Sequence, residues 1–365
     1  MRLLFVLSCL LIPCSYSIAT GKSPGAIGAY MSLRDRSPEA IDNLIREAAE
    51  AGIQFVIPLA KSTSGRALYK SHIVPEAHPG SDDALELVIK AAHKYGLRVY
   101  PWICVNSDGG EEALSPTLES HPDWCIVNAN GQRVGFIDPS SKEARQYVCS
   151  IIREIVCGYD VDGISLDYVR YPSGRNCFCD RCIRMFRESS GYDAREASRA
   201  QPGTDLWRKW RAWRMKQVNL EMQEIRKTVE EVKPGIPISS YVWGVHTYGQ
   251  GFQTCQDWKT WIRKGLIDWI NPSGYVYNMK DFQKRVAENR KEIPEGFPYL
   301  ITIGVRTSHG QLNSASEVKA QVDEAIKLGA DGVIFFTLEY TRQYLAELAP
   351  FLRQIAQPDR DPGKK

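Results

Sequence analysis

The stretch DGISLDYVRYPSGRNCFCDRC, Asp162 to Cys182, holds two groups of residues that could do chemistry. An acid, Asp167, ends a short apolar run, the aromatic and basic set Tyr168, Arg170 and Tyr171 follows, and Cys177, Cys179 and Cys182 then fall within six positions. Side chains alternate along an extended chain, so Gly163, Ser165 and Asp167 share one face and Ile164, Leu166 and Tyr168 the other. A carboxylate on the small-residue face at a strand end suits proton transfer or nucleophilic attack, or else an ion pair with Arg170. Asp162, before the strand, belongs to the opposite end as a turn residue. The clustered cysteines suit a metal or disulfides.

DGVIFFTLEYT repeats the pattern. Val333, Phe335, Thr337 and Glu339 are expected on one face, which makes Glu339 a second carboxylate at the same end, with a salt bridge to Arg342 as the alternative. Asp257 in CQDWKTW is a third candidate, or a cap for the helix after it; Glu111 and Glu112, in a loop, rank lower. Aromatic residues and amides recur at the same strand ends: Tyr248 and Tyr277, with Asn271 and Asn278, accompany Trp102, Asn106, Tyr168, Arg170, Tyr171, Tyr241, Trp243 and Tyr275, the expected substrate contacts. Such a surface suits a sugar, whose ring faces stack while its hydroxyls hydrogen-bond. Two carboxylates flanking a glycosidic bond hydrolyse it without a cofactor. HExxH and Walker motifs and a G-x-S-x-G elbow between a strand and a helix are absent, and the six histidines lack metal-ligand spacing.

The elements that must position these residues alternate along the chain. SPEAIDNLIREAAEAG has a capping Ser37, Pro38 at the first helical position, an apolar stripe of Ile41, Leu44, Ile45 and Ala48, and a stop at Gly52. Eight strand-like runs alternate with eight helical patterns, including 206–232, 256–265, 280–291, 316–328 and 343–354. This order predicts a closed (β/α)8 TIM barrel, with an open doubly wound sheet as the alternative. The longest connections follow strands 3 (Ser107 to Pro139) and 4 (Ser173 to Pro202), on the face where barrel active sites are built. In WRKWRAWRMKQ the tryptophans are expected to cover the barrel and the basic residues to be solvated.

Residues 1–21 have one Arg, an apolar run and then small residues, the layout of a secretory signal peptide, with lipoprotein anchoring at Cys9 as a minor alternative. The barrel is expected over 25–355 and a disordered tail over 356–365. No later segment is apolar enough for a membrane span. A net charge of +3 gives no electrostatic case for nucleic acid. Eight cysteines remain outside the leader, an even number that suggests disulfides in an exported protein.

DGISLDYVRYP resembles the fourth-strand motif of the glycosyl-hydrolase-like family 10 proteins, with Tyr168 standing where that motif usually continues with a second acid. HPDWCIVNANGQ, GFIDPSSKEARQYV, QDWKTWIRKGLIDWINPSGYVY and ADGVIFFTLEY extend the resemblance from about Gly25 to Leu352. It implies a TIM barrel that hydrolyses polysaccharide or bacterial cell-wall glycan; a non-catalytic glycan-binding protein on the same scaffold is the alternative. The C-x-C-x2-C loop is similar to that of certain barrel β-galactosidases, which implies a structural zinc on Cys177, Cys179 and Cys182. Cys125 or Asp138 would take the fourth position. A disulfide among these cysteines stays open.

Overall fold

The computed structural model describes residues 23–356 apart from 111–112 and 250–252. Eight parallel strands form the central sheet: β1 (Ile27–Met31), β2 (Phe55–Lys61), β3 (Trp102–Cys104), β4 (Ile164–Asp167), β5 (Ile238–Val242), β6 (Trp269–Pro272), β7 (Leu300–Gly304) and β8 (Gly332–Phe336). They run in the order β6-β5-β4-β3-β2-β1-β8-β7, and bridges Ile270–Tyr299 and Ser273–Thr302 bring β6 against β7. The sheet therefore curls into a (β/α)8 barrel.

The principal helices are α1 (Pro38–Ala51), α2 (Ala84–Lys94), α3 (Lys142–Gly158), α4 (Asp205–Val232), α5 (Trp258–Arg263), α6 (Met279–Glu292), α7 (Ala315–Lys327) and α8 (Leu345–Ala356). Ser37 caps α1 through the Ala40 N–H, and Gly52 ends it with φ 98°. Its stripe of Ile41, Leu44, Ile45, Ala48 and Ala51 is buried.

Side chains pointing inward fill the barrel: Tyr30, Phe55, Ile57, Tyr100, Trp102, Cys104, Trp269, Leu300 and Ile334 pack together. Phe55, Tyr100 and Trp269 meet edge to face with centroids 5.6–5.8 Å apart. Their bulk demands small residues opposite. A Cβ at Gly28 would stand 2.1 Å from the Phe55 ring, and one at Gly163 would stand 2.5 Å from the Tyr100 ring.

The long connection after β3 is organised as a small antiparallel sheet of Ser107–Gly110, Cys125–Val127 and Arg133–Ile137, followed directly by Asp138. The insertion after β4 carries helices Asp180–Ser190 and Ala194–Arg199 and then runs into α4. On α4, Trp207, Trp210 and Trp213 are buried as expected, but so is Arg214. Its guanidinium sits 4.3 Å from the Tyr171 ring and donates to the carbonyls of Ser173, Gly174 and Gln253, so it joins the insertion to the core instead of facing water. The leader and most of the tail lie outside the described residues. No described helix is long and apolar enough to cross a membrane.

Candidate active site and cysteine cluster

At the C-terminal mouth a cleft of about 540 Å³ is lined by Trp102, Asp167, Tyr168, Arg170, Tyr241, Trp243 and Tyr275, all expected site residues, together with Thr63, His246, Ser273, Arg285, Thr307, Ser308, His309 and Phe336. The alternation in β4 accounts for Asp167: Ile164 and Leu166 pack outward against the helices, while Asp167 ends the inward row and is only 7% exposed. Trp102, paired with Ser165 across the β3–β4 ladder, donates its Nε1–H to Asp167 Oδ2 at 3.1 Å, and the Tyr168 N–H donates to Oδ1 at 2.6 Å. Burial pushes the Asp167 carboxyl up to about 6, against the opposing pull of the Tyr168 N–H, Arg170 and Trp102. It can therefore hold a proton in mildly acidic solution and release it near neutrality.

Tyr168 turns the chain away from β4 with φ 55°, a left-handed conformation that costs a tyrosine strain. Arg170 lies against two rings, 4.6 Å from Tyr168 and 4.9 Å from Trp243, and donates to the Tyr171 carbonyl at 3.1 Å. Tyr241 and Tyr275 stack at 5.9 Å, and Tyr275 meets Phe336 at 5.3 Å. The result is an aromatic trough with one buried acid in its wall.

Other expected site residues are placed elsewhere. Asn106 is fully buried and donates to Glu221 Oε2 at 2.8 Å, and Tyr171 is fully buried beneath Arg214; neither lines the cleft. Asn271 is buried and donates to the Tyr30 hydroxyl, Asn278 caps α6, and Tyr277 pairs with Thr307. Asp257 accepts from Asn219 at 2.9 Å and from Tyr248 at 3.1 Å, a structural pairing away from the cleft.

Glu339 falls outside the cleft because the expected face of strand 8 is reversed. Val333 and Phe335 pack outward, Ile334 faces the barrel interior with Phe336 against the same inner cluster, and the strand ends before Thr337. Glu339 then lies on the helical turn Leu338–Thr341, where its Oε1 accepts the N–H groups of Ser32 and Leu33 at 2.7 and 3.0 Å. Arg342 pairs instead with Glu47. Among the described residues that line the cleft, Asp167 is the one carboxylate. Glu111 and Glu112 lie outside the described residues.

Sequence reasoning missed Arg285, His246 and His309 at the cleft. Arg285 lies three residues from the buried Phe282 on α6, so helical spacing offered a signal that it flanks the buried face. Glu221 was missed as well: it follows Arg214, Gln217 and Val218 on the buried side of α4, and burial pushes its carboxyl up to about 8.

Beside the mouth, one ligand atom each from Asp138, Cys177, Cys179 and Cys182 lies within 4.8 Å of the others. All four cysteines of the region are free thiols; Cys125 points instead at the Leu118 carbonyl, 3.7 Å away. N–H groups of Val127 and Cys179 point at Cys177 Sγ at 3.3 and 3.5 Å, and that of Cys182 at Cys179 Sγ at 3.4 Å. Such bonds stabilise thiolates, and hydrogen bonds from Cys177 and Cys182 hold the Cys179 thiol well below its usual range. Burial pushes the Asp138 carboxyl up, while Arg181 donates to its Oδ2 at 2.8 Å. Three sulfurs and one carboxylate oxygen fit a closed tetrahedral zinc site.

An eight-stranded barrel with an aromatic cleft and a buried acid at its C-terminal mouth has the architecture of a glycosidase. The chain belongs to the family described as Glycosyl hydrolase-like 10, whose pattern matches residues 29–320. It is 26% identical over 253 residues to glycosyl hydrolase DigH of Escherichia coli K12, covering 58% of this chain and 52% of that protein. It is 27% identical over 279 residues to glycosyl hydrolase YngK of Bacillus subtilis 168, covering 67% and 50%. The chain thus spans about half the length of these relatives. The PgaB (BpsB) glycoside hydrolase domain from Bordetella bronchiseptica superposes with a TM-score of 0.73 at 11% identity, over 92% of this chain and 99% of that one, a likeness of fold.

Proposed function

We propose that this protein is an exported glycoside hydrolase in which Asp167 protonates the leaving glycosidic oxygen of a polysaccharide or cell-wall glycan. The observation that carries the reading is the buried Asp167 carboxyl, raised to about 6 and facing an aromatic trough. Stacking on Trp243, Tyr241 and Tyr275 would hold the sugar faces, and Trp102 would orient the acid through its Nε1–H. The Trp102 bond favours the carboxylate left after proton donation, which helps it serve as a base in the next step. Glu339 and Asp257, each held by other partners, are not part of this proposal. Export rests on the apolar leader of residues 1–21.

Asp138, Cys177, Cys179 and Cys182 would hold a structural zinc. Bound there it would staple the insertion after β4 to the loop after β3 and take no part in the chemistry, since four protein ligands leave no open position.

The test is turnover of wild type and Asp167→Asn on a panel of polysaccharides and purified cell-wall glycan. A substrate cleaved by wild type and not by the variant supports the assignment, and equal turnover by both refutes it. The presence of a single carboxylate among the described cleft residues favours a second reading, a glycan-binding protein on the same barrel. That reading wins if neither form cleaves any glycan while both bind one and Trp243→Ala weakens that binding.

A further inference from the structure

The charge of the cleft does not match a neutral sugar. Two guanidiniums, Arg170 and Arg285, face it against one carboxylate among the described lining residues. The chain as a whole carries only +3, so this excess is local.

The two arginines differ in what holds them. Arg170 lies against the Tyr168 and Trp243 rings and donates to the Tyr171 carbonyl, close enough to Asp167 to favour its charged form. Arg285 projects from the middle of α6 and is half-buried. Among the described residues no ion pair or hydrogen bond engages its guanidinium. Glu288, one turn further along α6 and 3.9 Å from Lys284, and the exposed Asp281, one turn back, act on it only through space. Arg285 lines the same cleft as Tyr241 and Asp167. A partly desolvated guanidinium without a fixed acceptor is costly, and the planar fork matches a carboxylate in two parallel hydrogen bonds. Sugar hydroxyls cannot supply that charge.

We propose that the cleft selects glycans that carry a carboxylate on the sugar, with Arg285 as the residue that reads it. This rests on the cleft being a glycan site but not on its being catalytic. Arg285 is a specificity residue: the carboxylate docks on its guanidinium, and the sugar bearing it, or its neighbour, stacks on Tyr241 and Trp243 in the same cleft as Asp167.

The experiment measures calorimetric affinities of the full chain, carrying Asp167→Asn to prevent turnover, for oligosaccharides of polygalacturonate, alginate and hyaluronan and for solubilised cell-wall glycan. Each is compared with its carboxyl-reduced form, in which the acid has become a primary alcohol. Reduction should weaken binding about tenfold or more, as expected for a lost charge-assisted bidentate pair. Arg285→Gln should weaken binding of the acidic form by a similar factor and leave the reduced form within about twofold, and Arg285→Lys should recover part of the difference. Equal affinity for acidic and reduced forms, a preference that survives Arg285→Gln, or binding of neutral glycans alone would overturn the proposal while leaving the hydrolase reading intact. An Arg285-dependent preference without turnover by wild type would support it and remove the hydrolase reading instead. Absence of binding to every glycan tested would overturn both.

Discussion

Asp167 and Asp138 are both buried, and burial raises both carboxyls, yet their surroundings direct them to different ends. Asp167 is met by an indole N–H, one backbone N–H and the open side of an aromatic cleft. Asp138 is met by Cys179 Sγ at 3.4 Å, Cys182 Sγ at 3.2 Å, the Ser140 hydroxyl and Arg181, with no access to the cleft. Burial alone therefore does not define an active-site acid. What distinguishes them is whether the unfilled side of the carboxyl faces space for a substrate or faces other ligand atoms.

The largest effect that could break this contrast is on turnover. Asp167→Asn should lower kcat by about 10²–10⁴-fold, the range for a lost general acid or base, with glycan affinity little changed. Asp138→Asn, in protein that remains folded, should leave kcat within about tenfold. Equal losses in the two variants would erase the distinction.

The contrast should next appear in metal content and stability. Protein purified without chelator should hold close to one zinc per chain, and stripping the metal should lower unfolding stability by a few kcal/mol, because zinc binding to thiolates is linked to folding. Alkylation and intact-mass analysis that found Cys177, Cys179 and Cys182 in disulfides would remove the metal assignment.

A smaller effect follows from linkage at Asp167, whose carboxyl moves from 3.8 to about 6. Between those values the folded protein keeps a proton that the unfolded chain has lost, so stability falls as pH rises through the window and the full cost is present above it. Asp167→Asn should therefore stabilise the protein at pH 7–8 by up to about 3 kcal/mol, with the gain vanishing near pH 3. Denaturant melts across that range check it, and a pH-independent difference would show that the charge of Asp167 is not the cause. The smallest effect is on binding: Trp243→Ala should weaken glycan affinity by about 1–3 kcal/mol through loss of stacking area, measured by calorimetry, with little change in the chemical step.

Residues 162–182 hold Asp167 and the three cysteines that meet Asp138, whereas Asp138 itself comes from the loop after β3. The inward face of β4 could be read because Gly163, Ser165 and Asp167 are small or polar where Ile164 and Leu166 are not, so the period of two was visible. β8 offered no such signal. Both of its faces are buried, Val333 and Phe335 against the helices and Ile334 with Phe336 toward the interior, so every residue is apolar and either set could have faced the barrel axis. The expectation that Glu339 shares the inward face rested on that register, and the structure sets it outside the described cleft lining.

By itself the sequence determined the repeating strand-helix order, the helix caps, the placement of Asp167 at a strand end and the set of donors from which a metal site could be drawn. Each of these depends on neighbours within a few residues, through side-chain periodicity and backbone hydrogen bonding. Only the tertiary structure decided that Asp138 and not Cys125 meets the three cysteines, that Asn106 turns to Glu221 in the interior, and that Arg285 from α6 shares a cleft with Asp167 from β4. Those juxtapositions join segments far apart in the chain. They are set by barrel closure and by the packing of large side chains, of which local spacing carries no record.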